Sequence, residues 1–422
     1  MSMVSSKVYS FQTISREDMI KINTFPDGMD REFRKQFDWC SLCRFSIFNP
    51  DDPDKQIIQR KIFDEGFDDI KMDRAVGSVL GCPLGDSLGA PMEFSAVRYG
   101  QTELQDMGQE DIWFGRSYNH FSLKPGQWTD DASMGLCLAD SLLVNRGFNA
   151  LDLRLRFYNW VHLGYNNAFG YDKKPRHSIG LGGNISMSIS EFTRHHIEYT
   201  EAGDRRTSGN GSVMRLSPAP VYFWDDIDKA MLHSYQQSKT THQGDEAAEC
   251  CRLLAWVIVR AINWEGTPTA IQVLDALSAE DSTFDSPLYA IKCMAKSRAE
   301  ERHPENEHLD LIDRNWTWKD PNFRYSPHRA RVQPGYVGSY SMDATAMALH
   351  CIYTTTSLRD AMIKCANLCG DADSVTSVVG QLAGAIYGCS SIPKHWIRFL
   401  QQWDNNGDIA LRAYKMYTKN PI

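Results

Sequence analysis

Two short acidic clusters lie far apart in this 422-residue chain and carry residue types that bind hard cations. The first is Trp128-Thr129-Asp130-Asp131, and the second is Gly370-Asp371-Ala372-Asp373-Ser374. Each cluster places two carboxylates beside a hydroxyl, and oxygen ligands of this kind suit Mg²⁺ or Mn²⁺. If the fold brings the clusters together, four carboxylates would repel one another unless cations neutralise them. The clusters therefore indicate a site for two metal ions.

Each cluster also has a simpler interpretation when it is taken alone. Asp and Thr are favoured at helix N-termini, because their side-chain oxygens accept bonds from free backbone N–H groups. Residues 129–131 and 371–374 could each cap a following apolar helix. A calcium loop of the EF-hand type is excluded for the second cluster, since Val375 and Leu382 stand where that loop needs oxygen ligands.

The elements that must position the clusters are predicted to be helices. Glycines recur every four residues at Gly77, Gly81, Gly85 and Gly89, which predicts a helix face that another helix can approach closely. Pro83 is expected to kink or interrupt this helix.

Further helices are predicted at residues 16–22, 55–63, 151–162, 245–262, 269–277, 342–353, 358–368 and 396–403. Short strands are predicted at 9–14 and 44–47, and the polar stretch 298–333 is predicted to be a surface excursion. The fold class is thus predicted to be all-α, with a small irregular or mixed α/β extension at the N-terminus.

Composition restricts the location and the partners. The formal charge of −8 lacks the basic excess that nucleic-acid binding requires, so no nucleic-acid partner is expected. No apolar run approaches a membrane span, and the first residues lack the apolar core of a secretory signal. Eleven scattered cysteines, including the lone pair Cys40-x-x-Cys43, indicate reduced thiols. A cytoplasmic protein without membrane association is expected.

Five motifs in order resemble one known family. They are Gly85-Asp86-Ser87-Leu88-Gly89-Ala90-Pro91-Met92-Glu93-Phe94, Trp128-Thr129-Asp130-Asp131, Gly209-Asn210-Gly211-Ser212-Val213-Met214-Arg215, Thr241-His242 and Gly370-Asp371-Ala372-Asp373-Ser374. Together they are similar to the ADP-ribosylglycohydrolases, including the dinitrogenase reductase-activating glycohydrolases, over roughly residues 72–405. The resemblance implies an all-α orthogonal helical bundle with a centre of two Mg²⁺ (or Mn²⁺) ions in a cleft.

The resemblance also implies roles for individual residues. One half of the metal ligation would come from Thr129, Asp130 and Asp131, and the other half from Asp371, Asp373 and Ser374. Many family members have threonine where Ser374 stands, and serine keeps the hydroxyl ligand. Glu93 matches a glutamate near the metals. Glu93, Asp130 and Asp131 are the candidates for catalytic proton transfer, and the sequence does not show which of them is the general base.

A second set of residues is predicted to bind the substrate. Glycines around Asn210, Gly211 and Ser212, followed by Met214, let backbone N–H groups approach a diphosphate, although a tight turn explains the same run. His242 matches a family histidine near the diphosphate. Tyr340 resembles an aromatic residue near the adenosine, and a core tyrosine is an equal alternative.

The function that the resemblance implies is metal-dependent hydrolysis that removes ADP-ribose from modified protein side chains, with arginine-linked ADP-ribose favoured. Hydrolysis of serine-linked ADP-ribose or O-acetyl-ADP-ribose, and a catalytically silent ADP-ribose-binding or toxin-binding inhibitor, are the alternatives. Residues 1–70 are predicted to be an extension to a catalytic domain at 71–422. This extension either completes the core or binds a partner, and some bacterial relatives look like immunity proteins against an ADP-ribosyltransferase toxin.

Overall fold

The described part of the chain is built from α-helices, as predicted. The computed structural model describes residues 42–172, 178–204, 206–301 and 314–420, and within them β-structure is limited to two isolated bridges. No helix in these ranges is both long enough and apolar enough to cross a membrane. One continuous hydrophobic cluster extends from Leu42 to Tyr417.

The helices of the described residues are numbered here in chain order. They are α1 (Pro53–Arg60), α2 (Ile70–Gly89), α3 (Glu110–Trp113), α4 (Asp130–Asn145), α5 (Ala150–Leu163), α6 (Gly183–His195), α7 (Pro218–Tyr222), α8 (Ile227–Lys239), α9 (Asp245–Ile262), α10 (Ala270–Ser278), α11 (Tyr289–Ala295), α12 (Pro327–Val332), α13 (Ser341–Tyr353), α14 (Leu358–Ala366), α15 (Ala372–Tyr387), α16 (Lys394–Gln401) and α17 (Asp408–Thr418). A π-helical turn at Lys61–Glu65 and 3₁₀ turns at Ala90–Met92, Asn210–Ser212 and Cys389–Ser391 complete the regular structure.

The centre of the fold is the antiparallel pair α2 and α15. The glycine face of α2 lies directly on the α15 backbone: a Cβ atom added to Gly81 would lie 1.9 Å from the carbonyl oxygen of Gly380. One added to Gly85 would lie 2.2 Å from that of Thr376. Side chains larger than hydrogen are therefore excluded along this face. The predicted close approach is confirmed, and it places the C-terminal end of α2 against the start of α15.

Pro83 lies inside α2 and does not interrupt it, so of the two predicted effects the interruption is wrong and the kink stays a prediction. A proline removes one backbone donor and disfavours a helix. Every residue from Asp73 to Gly89 is buried, however. Tertiary packing on α15 therefore outweighs the local preference of the proline.

The predicted helices at 151–162, 245–262, 269–277, 342–353, 358–368 and 396–403 are confirmed with small shifts at their ends. Residues 44–47, by contrast, form no strand, because the side chains around them pack into the core as a loop. The surface excursion predicted at 298–333 is also wrong for its described second half. Trp316, Trp318 and Tyr325 are fully buried there, and the indole of Trp318 donates to the carbonyl oxygen of Met294 at 2.7 Å.

The described residues before position 70 are joined to the helical bundle. Lys55 of α1 forms an ion pair of 2.7 Å with Asp408 of α17, and Lys415 pairs with Asp54 at 2.8 Å. Phe45, which also belongs to the predicted extension, is buried. Residues 1–41 lie outside the described part, and with them the elements predicted at 9–14 and 16–22.

Candidate active site

Both acidic clusters begin helices, but the side chain of the residue before each helix does not cap it. Thr129 precedes α4 and Asp371 precedes α15, and neither side chain accepts a bond from the first turn of its helix. The start of α4 is fixed instead by Asp86 of α2. Its carboxylate accepts bonds from the N–H groups of Thr129 at 2.9 Å and Ala132 at 3.0 Å, and from the Thr129 hydroxyl at 3.0 Å. Capping is thus supplied from a neighbouring helix.

The fold brings the acidic clusters together, as the sequence predicted. Asp86, Asp131 and Asp373 each place a carboxylate oxygen within 4.8 Å of the others, and so do Glu93, Asp371 and Asp373. Asp373 belongs to both groups and joins them. All five side chains are buried. Residues from three segments, α2 with the following turn, α4 and α15, therefore form one acidic centre.

Burial and mutual repulsion make this centre costly to charge. Burial and the neighbouring Asp373 and Asp371 raise the pKa of Glu93 to about 12. Burial raises the pKa of Asp86 to about 7, and burial with the charge of Asp86 raises that of Asp373 to about 6. The pKa values of three further carboxyls are raised well above the usual range, mainly by burial: Asp130, Asp131 and Asp371. The centre accordingly favours protons or metal cations.

The donor set fits divalent cations that prefer oxygen. Oδ1 of Asp131 and Oε2 of Glu93 are buried without a hydrogen-bond partner, although buried carboxylate oxygens normally have one. The centre offers carboxylates and the neighbouring hydroxyls of Thr129 and Ser374, and oxygen ligands suit Mg²⁺ or Mn²⁺. The two unpartnered oxygens are thus positioned to bind such cations.

Residues outside the two clusters hold the carboxylates in place. The Asn210 side chain donates to Oδ2 of Asp371 at 2.9 Å and to the carbonyl oxygen of Gly338 at 3.1 Å. The Tyr336 hydroxyl donates to Oε1 of Glu93 at 3.3 Å. Both contacts connect the acidic centre to the segment that precedes α13.

The centre forms the floor of a cleft of about 270 Å³. Five of the predicted catalytic and metal residues line it, namely Glu93, Asp130, Asp371, Asp373 and Ser374. Four of the predicted substrate residues form a wall, namely Asn210, Gly211, Met214 and His242. Thr129 and Asp131 are buried and do not line the cleft.

His242 and Ser212 are fixed by interior contacts. Nδ1 of His242 is 2.8 Å from the Thr241 hydroxyl, and burial beside Arg215 lowers the pKa of His242 to about 3. The ring is therefore neutral at physiological pH. The Ser212 hydroxyl accepts a bond from Ser238 at 2.8 Å and does not line the cleft.

Tyr340 makes its hydroxyl contacts outside the cleft, and its place near the adenosine stays a prediction. Its hydroxyl accepts a bond from Arg314 at 2.8 Å and donates to Glu246, and the residue does not line the cleft. An isolated antiparallel β-bridge pairs its backbone with Gly209. The aromatic residue that lines the cleft is Tyr336.

The sequence analysis missed a glycine-rich wall opposite Asn210. Gly180, Gly182, Gly183 and Asn184 line the cleft just before and at the start of α6. Gly180 has φ +91°, and a Cβ atom there would lie 1.9 Å from Oδ1 of Asp130. No side chain caps α6, and uncapped N–H groups at a helix start favour anions. The Gly-Leu-Gly-Gly-Asn run at residues 180–184 was the available signal.

The described helices thus place a buried, oxygen-rich acidic centre beside glycine-lined walls in one cleft, an arrangement that could hold a divalent cation. The sequence model of the ADP-ribosylglycohydrolase family matches residues 68–421. The chain therefore belongs to the ADP-ribosylglycohydrolase family, and it is an ADP-ribosyl-protein hydrolase.

Individual relatives cover most of the chain. It is 28% identical to an ADP-ribosylarginine hydrolase Tri1 of Pseudomonas putida, over 77% of this chain and 74% of the relative. It is 25% identical to the ADP-ribosyl-[dinitrogen reductase] glycohydrolase of Rhodospirillum rubrum, over 77% and 89%. A solved structure described as an ADP-ribosylglycohydrolase-related protein complex matches with TM-score 0.58 and 26% identity, over 82% of this chain and 99% of that chain.

Proposed function

We propose that the protein removes ADP-ribose from arginine side chains of proteins with the help of two Mg²⁺ or Mn²⁺ ions. The observation that carries this proposal is the convergence of Glu93, Asp371 and Asp373, which line the cleft, with the buried Asp86 and Asp131 in one acidic centre. The arginine linkage is supported by two relatives named ADP-ribosylarginine hydrolase, from Pseudomonas putida and Serratia proteamaculans, at 28% and 26% identity.

The residues that would hold the metal ions are those of the two clusters: Thr129, Asp130, Asp131, Asp371, Asp373 and Ser374. Asp86 supports them through Thr129 and through its place in the Asp131–Asp373 group. When bound, divalent cations would orient the ribose hydroxyls and lower the pKa of a bound water.

The walls of the cleft would bind the rest of the substrate. Backbone N–H groups at Gly211 and Gly183 would receive the diphosphate, because glycine has no side chain in the way. The neutral ring of His242 stands behind Gly211, and a Cβ atom added to Gly211 would lie 3.0 Å from its Cε1 atom. His242 thus restricts how deeply the diphosphate can enter. Ser212 would act through its backbone alone.

Glu93 and Asp130 would carry the proton transfers, since both line the cleft and Asp131 does not. In the reaction a water O–H bond breaks, the hydroxyl forms a bond to the anomeric carbon, and the bond from that carbon to the guanidine nitrogen breaks. The proton passes from the water, through one of these carboxylates, to the leaving guanidine. Positive charge that develops on the sugar would be stabilised by the surrounding carboxylates.

The test is hydrolysis by the purified full-length protein. Arginine- and serine-ADP-ribosylated proteins are incubated in parallel with Mg²⁺, with Mn²⁺ or after exhaustive chelation, and released ADP-ribose is measured. We expect release from the arginine-linked substrate with metal, and its loss in Asp371→Asn. Full activity after chelation would refute the metal-dependent mechanism, and preference for the serine-linked substrate would refute the linkage.

The role of the N-terminal extension is also a proposal. Residues before 68 lie outside the family match, and the described ones among them that pack on the bundle include Phe48, which is buried. We propose that any binding of an ADP-ribosyltransferase toxin would depend on residues before 42. Deletion of residues 1–41 should then abolish co-purification with such a toxin while hydrolysis continues. Unchanged co-purification would exclude this role.

A further inference from the structure

Phe94 is an exposed aromatic residue in an unfavourable backbone conformation beside the acidic centre. It follows Glu93 directly, its side chain is 52% exposed, and its φ is +64°. Bulky residues rarely adopt a positive φ, and where they do, the site is often functional. The N–H group of Phe94 donates to the carbonyl oxygen of Gly370 at 3.2 Å, one residue before Asp371. The backbone of Phe94 is thus joined to the residue that precedes Asp371.

Phe94 belongs to a cluster of rings at the edge of the cleft. Its ring stacks on Tyr336 with centroids 5.6 Å apart and an angle of 19°, and it meets Phe121 edge-on, also at 5.6 Å. The ring of His120 lies 6.4 Å away. We call these four residues the aromatic rim. Because Tyr336 lines the cleft and donates to Glu93, the rim is continuous with the proposed reaction centre.

The chemistry of this rim suits a planar cation. An arginine guanidinium stacks on aromatic faces and is attracted by their electrons, and the acidic centre next to the rim strengthens that attraction. A neutral hydroxyl leaving group gains nothing from either feature. We propose that the aromatic rim, through the exposed ring of Phe94, binds the guanidinium of the arginine from which ADP-ribose is removed. This inference rests on the proposed function, and it assigns the selectivity for arginine to Phe94.

A purely structural role for Phe94 makes a different prediction. If the ring only covered Tyr336, a leucine of similar bulk would serve equally well, and Phe94→Leu would keep the activity of wild type. If the ring binds the guanidinium, Phe94→Leu must weaken substrate binding without loss of stability. Phe94→Gly removes the ring and fits the positive φ, so its stability should equal or exceed that of the wild type. The pair of variants therefore separates recognition from folding.

The first experiment compares wild type, Phe94→Leu, Phe94→Gly and the control Phe114→Leu on free ADP-ribosylarginine. Phe114 is 66% exposed and therefore gives a matched loss of a surface ring. We expect kcat/KM to fall about 5- to 30-fold in both Phe94 variants, mainly through KM, which corresponds to about 1–2 kcal/mol at 1.4 kcal/mol per tenfold. The dissociation constant of ADP-ribose should be the same in both Phe94 variants as in wild type. The control Phe114→Leu should have the kcat/KM of wild type. Wild-type kcat/KM in Phe94→Leu would overturn the proposal, and so would an equal loss of ADP-ribose affinity.

A second measurement does not depend on catalysis. Agmatine, a small guanidinium compound, is titrated calorimetrically into the Mg²⁺-loaded protein saturated with ADP-ribose. We expect its dissociation constant to rise about 5- to 30-fold in Phe94→Leu relative to wild type. Equal binding to both proteins, or no binding to wild type, would overturn the assignment. If wild type fails to hydrolyse ADP-ribosylarginine but agmatine binding depends on Phe94, the proposed function fails while the guanidinium site stands.

Discussion

The close contact between α2 and α15 predicts a large effect from a single methyl group. In Gly81→Ala the new Cβ atom would lie 1.9 Å from the carbonyl oxygen of Gly380 and 2.3 Å from its carbon. Both contacting atoms are backbone, so no side-chain rotation can relieve the clash. Overpacking of this kind costs up to about 3 kcal/mol, whereas alanine gains about 1 kcal/mol over glycine in a helix. We expect a net loss of about 2 kcal/mol in the free energy of unfolding, measured by urea denaturation.

The same substitution should also impair the site. To accommodate the methyl group, α2 must move away from α15, which separates Asp86 and Glu93 from Asp371 and Asp373. Weaker Mg²⁺ binding and slower release of ADP-ribose should therefore accompany the lower stability, even under conditions in which the variant remains folded.

Gly135→Ala is the matched control. Gly135 lies inside α4, and a Cβ atom there would meet its nearest neighbours at 3.5 Å, an ordinary van der Waals distance. This variant should be as stable as wild type or more stable by up to about 1 kcal/mol, with unchanged activity. If Gly81→Ala and Gly135→Ala behave alike, the glycine face does not set the distance between the helices.

Three further predictions follow from single side chains. Asp131→Asn should lower activity by about 100-fold or more through lost metal binding, yet leave the chelated protein equally or more stable, because an uncompensated buried charge is removed; calorimetry with Mg²⁺ and urea denaturation measure both. Tyr340→Phe should cost about 1–3 kcal/mol of stability by leaving Arg314 and Glu246 without its hydroxyl, with ADP-ribose affinity unchanged. Burial lowers the pKa of His350 to about 4, so its neutral form contributes stability above about pH 6.5, and this stability is lost as the pH falls towards 4. Relative to His350→Gln, the free energy of unfolding of the wild type should fall by about 2 kcal/mol between pH 6.5 and 4.5.

Much of the fold could be predicted from the sequence, because local patterns determined it. The helical periodicity of 245–262 gave α9 with its observed ends, and the glycine spacing on α2 gave its contact with α15. The meeting of the two acidic clusters followed from their chemistry and from the family motifs. In each case, the residues that carried the signal are the residues that make the contact.

The remaining features depended on tertiary contacts that no local pattern encodes. Tyr336 and Tyr340 stand in one short run, yet Tyr336 lines the cleft whereas the hydroxyl of Tyr340 contacts Arg314 and Glu246. Asp86 was part of a recognised motif, but its role at the start of α4 depends on two helices meeting. Trp316 and Trp318 lie in a polar stretch and are nevertheless buried. The segment after Arg314 packs on α11, where the indole of Trp318 donates to the carbonyl oxygen of Met294.

The arrangement of the acidic centre argues that the protein, not the metal, sets its geometry. Glu93 and Asp86 are placed by α2, and the position of α2 is fixed by backbone contact with α15 along the glycine face. Asp371 is held by Asn210, and the start of α4 by Asp86. These contacts involve atoms other than the unpartnered oxygens of Asp131 and Glu93. Chelation should therefore leave the helices in place and remove only the cations proposed to bind those two oxygens. The near-ultraviolet circular dichroism spectrum should then be unchanged while activity is lost.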